Sequence, residues 1–215
     1  MDVSIIIINY NTFELTCACI ESVIEKTKGI DYEIILVDNA SAETDPRNFL
    51  KKFPAIILIE SEVNDGFAKG NNRGIMRTSG KYVLLLNSDT LLKNNAVAIA
   101  WEFLERNPEV AVVGSRLESP DGTHQCNCQR LPSVKYGFLE LLRTQKFMPG
   151  QGGKLLFGYF FDHKTVVYPI GYGERFLCFP KKYWMNFLGK NCTMTISCMW
   201  KICNGAWSSE SEDIK

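Results

Sequence analysis

Residues 3–9 read VSIIIIN and decide the fold, and the polar pair Tyr10-Asn11 follows them directly. An apolar β-branched run without polar alternation is typical of a parallel strand that is buried on both faces of a sheet. Residues 33–38 (EIILVD) and 81–87 (KYVLLLN) repeat the pattern of an apolar run that ends in a polar side chain. The sequence therefore predicts buried parallel strands whose ends are polar.

Amphipathic segments separate these strands. Residues 12–28 carry apolar side chains at helical spacing, and Gly29 is a natural stop for that helix. The other elements are predicted as a short helix within 41–54, a strand at 55–60, helices at 68–78 and 94–106, and a fifth strand at 110–115. This alternation predicts an α/β fold with a doubly wound, mainly parallel sheet.

The composition favours one domain of ordinary size with a real core. The 215-residue chain is 46% hydrophobic and 22% charged, so disorder and low-complexity structure are excluded. Because 24 Lys and Arg balance 24 Asp and Glu, no global basic field exists to hold a nucleic-acid backbone, and we expect no nucleic-acid partner. With no basic leader and no apolar run near the roughly 18 residues that span a bilayer, the chain is expected to be cytoplasmic.

The eight cysteines are interpreted as reduced, mostly buried thiols. Cys17 and Cys19 lie in a predicted helix, and Cys126 and Cys128 are one residue apart without a second Cys or His pair. Zinc sites usually space their ligands by two to four residues in both halves of the site. Metal binding by cysteine is therefore the weaker alternative.

The strand ends carry unusual polarity. Doubly wound sheets bind ligands outside the carboxyl ends of their strands. The polar clusters there are Asn9-Tyr10-Asn11, residues 37–41 (VDNAS), residues 64–72 (NDGFAKGNN) and residues 87–90 (NSDT). We expect all four clusters to converge on one edge of the sheet.

Two of these clusters suit a pyrimidine nucleotide. Asp38 can accept a hydrogen bond from the imide N–H of uracil or thymine, and Tyr10 offers a ring on which that base can stack. The alternative is that Asp38 caps the turn that follows it. Gly66 and Gly70 would let the backbone approach a ribose or phosphate, and Asn71 or its neighbour would cap the helix or bond the sugar. Neither GxGxxG nor a P-loop is present.

Asp89 is the strongest single candidate for a metal ligand. A lone carboxylate in a polar loop after an apolar strand is placed to hold a hard divalent ion against the phosphates of a sugar nucleotide. The alternative role, capping the next helix, suits Asn94 better.

These motifs resemble the inverting family 2 glycosyltransferases, whose nucleotide-sugar domain has the GT-A fold. The segments IIIINYN, ILVDNAS, NDGFAKGNNRGI and LLLNSDT carry the resemblance, in this order and spacing, over residues 3–92. It is closest to the rhamnosyltransferase-like branch, in which Asn-Ser-Asp stands where other members carry D-x-D. It implies transfer of a sugar from dTDP-rhamnose or a UDP-sugar to a saccharide or lipid-linked acceptor in cell-surface polysaccharide synthesis.

The resemblance also assigns site residues. Asp89 would ligate Mg²⁺ or Mn²⁺, and Asn87, where many relatives have Asp, leaves a single metal carboxylate. The expected nucleotide-binding residues are Asn9, Tyr10, Asn11, Asp38, Asn39, Gly66, Phe67, Gly70, Asn71, Asn87 and Ser88. The catalytic residue stays unknown.

The second half of the chain matches the family less well. Residues 1–115 are expected to form the donor-binding half, 116–164 a partial acceptor-side region and 165–215 an atypical tail. Residues 114–123 predict a hairpin around the Pro-Asp-Gly turn. Residues 135–159, which mix leucines with basic side chains, predict either an ordinary amphipathic helix or peripheral contact with the cytoplasmic face of a membrane.

The tail lacks the family's acceptor and Glu-Asp motifs, yet it holds three of the four Trp and four of the eight Cys. Residues 169–176 and 198–203 can re-read in one shifted frame as Asp-Trp-Val-Trp-Gly-Thr-Phe and Tyr-Val-Glu-Asp-Met. A single frameshift near residues 164–169 is our preferred explanation. It predicts a poorly folded tail and a chain that binds nucleotide without transferring sugar. The alternative function is thus an inactive nucleotide-sugar binding remnant.

Overall fold

The computed structural model describes residues 1–119, 121–125, 128–129, 171–172 and 176–183. The strands and helices of the main sheet are β1 (Val3–Asn9), α1 (Phe13–Lys26), β2 (Tyr32–Asp38), α2 (Asn48–Lys52), β3 (Ile57–Glu60), α3 (Gly66–Ile75), β4 (Tyr82–Asn87), α4 (Ala96–Arg106) and β5 (Val113–Gly114). Four further short strands and a last one follow: β6 (Leu117–Glu118), β7 (His124–Gln125), β8 (Cys128–Gln129), β9 (Gly171–Tyr172) and β10 (Phe176–Pro180).

A mainly parallel sheet of six strands, in the order β3-β2-β1-β4-β10-β5, is the centre of the fold. β1 lies between β2 and β4 and pairs in parallel with both, so Asn9 is opposite Asp38 and Ile8 is opposite Asn87. The side chains from Val3 to Ile7 are fully buried, as the unbroken apolar run requires. The predicted doubly wound α/β fold is confirmed.

The helices begin and end slightly differently from the prediction. α3 begins at Gly66 instead of residue 68, and α4 begins at Ala96. Asn94 was expected to cap α4, but the N-cap residue is Asn95, and it makes no side-chain capping bond. Its side chain instead accepts from the Lys28 N–H and donates to the Lys28 carbonyl, at 3.2 and 3.0 Å, and so clamps the end of α1.

β10 corrects the expectation that residues 165–215 fold poorly. It pairs antiparallel with β4 on one side and with β5 on the other. Phe176, Leu177, Cys178 and Phe179 are each at most 2% exposed. The expectation is wrong for Phe176–Pro180 because this apolar run supplies the strand that the parallel sheet needs beside β4.

The described residues fall into two compact units. The first holds Met1–Ser115 and β10, which together form the six-stranded sheet. The second holds two antiparallel pairs, β6 with β7 and β8 with β9. The predicted hairpin is present: Leu117 pairs with Gln125, and the Gly122 N–H donates to the Ser119 carbonyl at 2.9 Å.

Candidate functional site

Asn9, the last residue of β1, is buried and uses its whole side-chain amide within the protein. Its Nδ2 donates to Asp38 Oδ1 at 2.6 Å and to Ser41 Oγ at 3.0 Å. Its Oδ1 accepts from the hydroxyls of Thr12 and Thr16 at 3.0 and 2.9 Å. Two donors and two acceptor positions exhaust the amide. The side-chain amide of Asn9 is therefore fully used within the protein, where it positions Asp38 and Ser41, and the expected contact of Asn9 with nucleotide stays a prediction.

Asp38 ends β2 beside Asn9 and is only 2% exposed. Its Oδ1 accepts from Asn9 and from Ser41 Oγ, the latter at 2.6 Å, and its Oδ2 accepts from the Ser41 N–H at 2.9 Å. Capping of the following turn, the alternative weighed from the sequence, is thus present. Oδ2 carries a single hydrogen bond among the described residues, so it keeps an acceptor position. Base recognition at that oxygen stays a prediction.

The loops after β1 and β2 are tied together and strained. Asn11 and Ala40 have φ angles of 54° and 63°, a left-handed region that Asn tolerates but Ala rarely adopts. The Asn11 side-chain Oδ1 accepts from the Ala42 N–H at 2.9 Å. The backbone N–H of Asn11 donates to Ser41 Oγ at 3.0 Å. Backbone strain of this kind clusters at functional sites, where surrounding contacts hold it in place.

Tyr10 lies in the first of these loops and is 48% exposed, although Asn9 before it is buried. An exposed ring on a loop held at both ends offers a face for stacking at little cost in ordering. The predicted stacking of a base on Tyr10 agrees with this position and stays a prediction.

The third polar cluster joins the site through Asn39. This side chain is 2% exposed and donates from Nδ2 to Asn64 Oδ1 at 2.6 Å, while its Oδ1 accepts from the Asp65 N–H at 3.2 Å. Asn64 Oδ1 also accepts from the Gly66 N–H at 2.9 Å. Gly66 has a φ of 78°, where glycine is favoured, so the chain can enter α3 immediately after this loop.

The segment 66–72, expected to be a loop that lines the nucleotide, forms the first turns of α3. Gly70 serves packing, because a Cβ there would lie 3.3 Å from Ile8 Cδ1 on β1. Asn71 is 1% exposed and donates to the Phe67 carbonyl at 2.9 Å inside the helix, so it is not a cap. Contacts of Gly66 and Phe67 with a nucleotide stay predictions.

The end of β4 supplies the fourth cluster. The Thr90 N–H donates to the Asn87 carbonyl at 3.1 Å and closes a turn. Asn87 Oδ1 is buried and has no hydrogen-bond partner among the described residues. Ser88 Oγ lies 3.4 Å from Thr12 Oγ1, which ties this turn to the loop after β1. Asp89 is exposed at the tip of the turn.

The thiol of Cys19 lies beneath this turn and donates to the Asn87 carbonyl at 3.5 Å. Burial, together with the negative charge of Asp89, raises the pKa of Cys19 to about 12. Burial also raises the pKa of Cys178 to about 12, and that of Cys17 above its ordinary value. All three are free, buried thiols, as expected. The alternative involving Cys126 and Cys128 lies outside the described side chains.

The turn at the end of β4 fits Mg²⁺ or Mn²⁺ in its donor chemistry. Both ions take oxygen ligands, and the turn offers the Asp89 carboxylate and the unpartnered Asn87 Oδ1. Within the described ranges, no group of three or more His, Cys, Asp and Glu side chains is arranged to hold a metal ion. Magnesium is usually held by one or two carboxylates together with substrate phosphates, so a single carboxylate is compatible with the predicted site, and metal binding at Asp89 stays a prediction.

Sequence reasoning missed the hydroxyl groups that organise the site. Ser41 holds Asp38 and Asn11, and Thr12 and Thr16 hold Asn9. The spacing D-x-x-S is a turn signature that could have identified Ser41. The two threonines are four residues apart, and therefore share a helix face.

Several predictions lie outside the described residues. These are the amphipathic or membrane-binding segment at 135–159 and the re-read motifs at 198–203. No helix in the described part of the chain is long and apolar enough to cross a membrane.

The sequence of the chain is similar to a known protein family and to known glycosyltransferases. The family model described as Glycosyl transferase family 2 matches residues 4–164. The chain is 36% identical over 107 residues to an uncharacterised glycosyltransferase of Rickettsia bellii, covering 49% of this chain and 15% of that protein. It is 30% identical over 119 residues to a poly(ribitol-phosphate) beta-glucosyltransferase of Bacillus spizizenii, covering 53% and 19%. The match thus spans less than a fifth of either relative.

Solved structures show the same fold. The chain resembles S. aureus TarS 1–349 with a TM-score of 0.62 at 12% identity, covering 95% of this chain and 55% of that one. It resembles the mannosyltransferase PcManGT from Pyrobaculum calidifontis, solved with GDP-Man and Mn²⁺, with a TM-score of 0.61 at 19% identity, covering 93% and 50%. The GT-A fold implied by the sequence motifs is confirmed.

Proposed function

The chain belongs to glycosyl transferase family 2, and we propose that it transfers a sugar from a nucleotide-diphosphate sugar to a saccharide or lipid-linked acceptor. The product would be a cell-surface polysaccharide, in keeping with the poly(ribitol-phosphate) acceptor named for one relative. The Asn-Ser-Asp sequence at 87–89 favours the rhamnosyltransferase-like branch, with dTDP-rhamnose or a UDP-sugar as donor. Transfer would take place at the cytoplasmic face of the membrane, where a lipid-linked acceptor is reached by peripheral contact.

One observation carries the proposal: three neighbouring strands end in a single hydrogen-bonded network. Asn9 bonds Asp38 across the β1–β2 pair, and Thr12 links Asn9 to Ser88 at the end of β4. Asp89 is exposed beside this network. Asp38 as base acceptor and Asp89 as metal ligand would contact both ends of a nucleoside diphosphate at the sheet edge where such folds bind ligands.

One pair of residues would bind the base of the donor, and another would bind the metal ion at its diphosphate. Tyr10 and Asp38 would bind the base by stacking and by a hydrogen bond to Oδ2. Asp89, with Asn87 Oδ1 as a second oxygen, would hold Mg²⁺ or Mn²⁺ against the diphosphate. When bound, such an ion offsets the negative charge that develops on the leaving diphosphate.

We propose that transfer inverts the anomeric centre. The acceptor oxygen forms a bond to the anomeric carbon as the bond from that carbon to the diphosphate oxygen breaks. A carboxylate base takes the proton of the acceptor hydroxyl in the same step. No described residue is assigned to that role.

A second candidate function is nucleotide-sugar binding without turnover. It is favoured by the family match, which ends at residue 164 and leaves 165–215 outside it. A donor site can persist on a fold after catalytic parts are lost.

A transfer assay separates the two candidates. The purified full chain is incubated with radiolabelled dTDP- and UDP-sugars, Mn²⁺ and saccharide or lipid-linked acceptors. Transfer of label, or metal-dependent hydrolysis of the donor, supports the transferase. Saturable binding without either supports the remnant, and the absence of binding contradicts both candidates.

A further inference from the structure

The position of Asp89 depends on how the loop around it is held. We define the Asp89 loop as residues 87–92, from the last residue of β4 to the buried Leu92, which is 6% exposed and belongs to the core. Between these anchors, Asp89 is exposed and Leu91 is 60% exposed. A loop whose tip has little packing keeps its shape through its anchor points.

The side chain of Ser22, on α1, is one of these anchors. Its hydroxyl donates to the Cys19 carbonyl at 2.7 Å and accepts from the Leu92 N–H at 3.0 Å. The first bond fixes the hydroxyl on its own helix, and the second fixes the end of the Asp89 loop to that helix. A partly buried backbone N–H that loses its acceptor destabilises the local conformation, because it has given up water without gaining another partner.

α1 also holds the beginning of the loop. The Cys19 thiol donates to the Asn87 carbonyl, and Thr12, at the N-cap of α1, lies 3.4 Å from Ser88. The Thr12 hydroxyl also donates to Asn9, however, and therefore belongs to the Asp38 network as well. Among the described residues, the Ser22 hydroxyl bonds only to its own helix and to the Asp89 loop, so its loss should affect the metal end of the donor and spare the base end.

We propose that Ser22 is a positioning residue that holds Asp89 in place to bind the divalent cation, although it touches neither the cation nor the donor. This inference rests on the proposed donor function. It assigns a role to a side chain 67 positions before the carboxylate in the sequence, with three strands (β2, β3 and β4) and two helices (α2 and α3) between them in chain order.

The test measures binding and needs no turnover. The probe is the tighter-binding of UDP and dTDP, titrated calorimetrically at a series of Mn²⁺ concentrations and again in EDTA. For Ser22→Ala we expect the Mn²⁺ concentration for half-maximal probe binding to rise by at least about threefold, since outer contacts of metal ligands typically contribute 10- to 100-fold in affinity and this one acts at one remove. Probe affinity in EDTA should stay within about twofold of that of the native chain.

Two further variants separate positioning from a general effect on folding. Ser22→Thr keeps the hydroxyl and should restore at least part of the native Mn²⁺ dependence. Thr27→Val is the matched control, because Thr27 is a buried hydroxyl at the C-cap of α1 whose Oγ1 has no partner among the described residues. It should leave Mn²⁺ dependence unchanged.

Each result has a distinct meaning. If the native chain shows Mn²⁺-dependent binding and Ser22→Ala shifts only that dependence, the inference is supported. If Ser22→Ala binds as the native chain does, or loses the same factor in EDTA, the role of Ser22 is overturned and the donor function stands. If the native chain binds neither nucleotide with Mn²⁺, the donor function fails and this inference fails with it.

Discussion

The carboxylate of Asp38 accepts three hydrogen bonds from Asn9 and Ser41 and still has an acceptor position on Oδ2. A single side chain therefore fixes the loop after β2 and keeps an acceptor position for the predicted hydrogen bond to a base. Turn capping and ligand binding, which looked like alternatives in the sequence, are compatible at this residue. The hydrogen bonds of the loop hold the buried carboxylate in one orientation before any ligand arrives.

For Asp38→Ala we expect the affinity for UDP or dTDP to fall by about 1.5–3 kcal/mol, the value of a hydrogen bond to a charged acceptor, while affinity for pyrophosphate changes little. Calorimetry with both ligands makes the comparison. Ser41→Ala is the control, because it removes the three hydrogen bonds of the Ser41 hydroxyl but keeps the Asp38 carboxylate. Equal losses for nucleotide and pyrophosphate in Asp38→Ala would show that Asp38 is structural only.

A second carboxylate, Glu33, holds the opposite edge of the sheet. Its Oε1 accepts from Ser4 Oγ at 2.5 Å and from the N–H and Oγ of Ser79 at 2.7 and 2.8 Å. Burial alone would raise the pKa of Glu33, but these hydrogen bonds outweigh it and hold the pKa below its ordinary value. The three bonds join β1, β2 and the turn before β4.

Because the pKa of Glu33 is lower in the folded chain than in the unfolded one, its stabilisation is complete above the unfolded value, about 4.3, and is lost as the pH falls through the folded value. We expect the stability difference between the native chain and Glu33→Gln to shrink below about pH 5. Urea unfolding from pH 7 to pH 3 measures it. For Glu62→Gln, at an exposed position, the free energy of unfolding should change with pH as it does in the native chain. The same pH dependence in Glu33→Gln would refute the assignment.

At the scale of elements, two glycines of α3, Gly70 and Gly74, lie close to β1. A Cβ at Gly74 would lie 2.6 Å from Ile6 Cγ2, whereas one at Gly70 would lie 3.3 Å from the flexible end of Ile8. Ile6 is fully buried, but Ile8 is partly exposed and can move. The two positions therefore differ although both are helical glycines facing the same strand.

Gly74→Ala should lower the free energy of unfolding by about 1–3 kcal/mol through overpacking. Gly70→Ala should change it by less than about 1 kcal/mol, because alanine's higher helix propensity offsets a small shift of Ile8. Chemical denaturation of both variants tests the pair. Equal destabilisation would mean that α3 does not lie against β1 as described.

Most elements could be predicted from the sequence because their signals are local. The apolar run at 3–9 and the spacing of apolar residues in α1 give strand and helix without any partner. The start of α3 was missed because Gly66, which enters the helix from a positive φ, also looks like a loop residue. In the helix, Gly70 packs against Ile8 and Asn71 makes an internal hydrogen bond, and the expected ligand contacts of both residues stay predictions.

At the scale of the whole molecule, β10 is the main departure from the sequence prediction. No local pattern shows that FLCFP, within a tail rich in Trp and Cys, pairs with a strand some ninety residues earlier. The hydroxyl network around Asn9 was missed for the same reason, since it joins residues from three strand ends. Long-range pairing is decided by the completed sheet and not by the segment itself.

Leu177→Ala tests the place of β10 in the sheet. Leu177 is 2% exposed, so we expect a loss of about 2–5 kcal/mol in the free energy of unfolding. Leu15→Ala, which removes a side chain that is 54% exposed, should cost much less. If Leu177→Ala leaves stability unchanged, the tail does not complete the sheet and the expectation of a poorly folded tail is restored.

The central claim is that the carboxyl edge of the sheet binds a nucleoside diphosphate through a divalent ion held by Asp89. Calorimetric titration of UDP and dTDP into the native chain and into Asp89→Ala, each with Mn²⁺ and with EDTA, tests it most directly, and Glu62→Ala serves as a control for loss of an exposed carboxylate. We predict that the native chain and the control bind at least about tenfold more tightly with Mn²⁺, and that Asp89→Ala keeps its fold by circular dichroism but loses this difference. Native binding without Mn²⁺ dependence, or an equal dependence in Asp89→Ala, would contradict the claim.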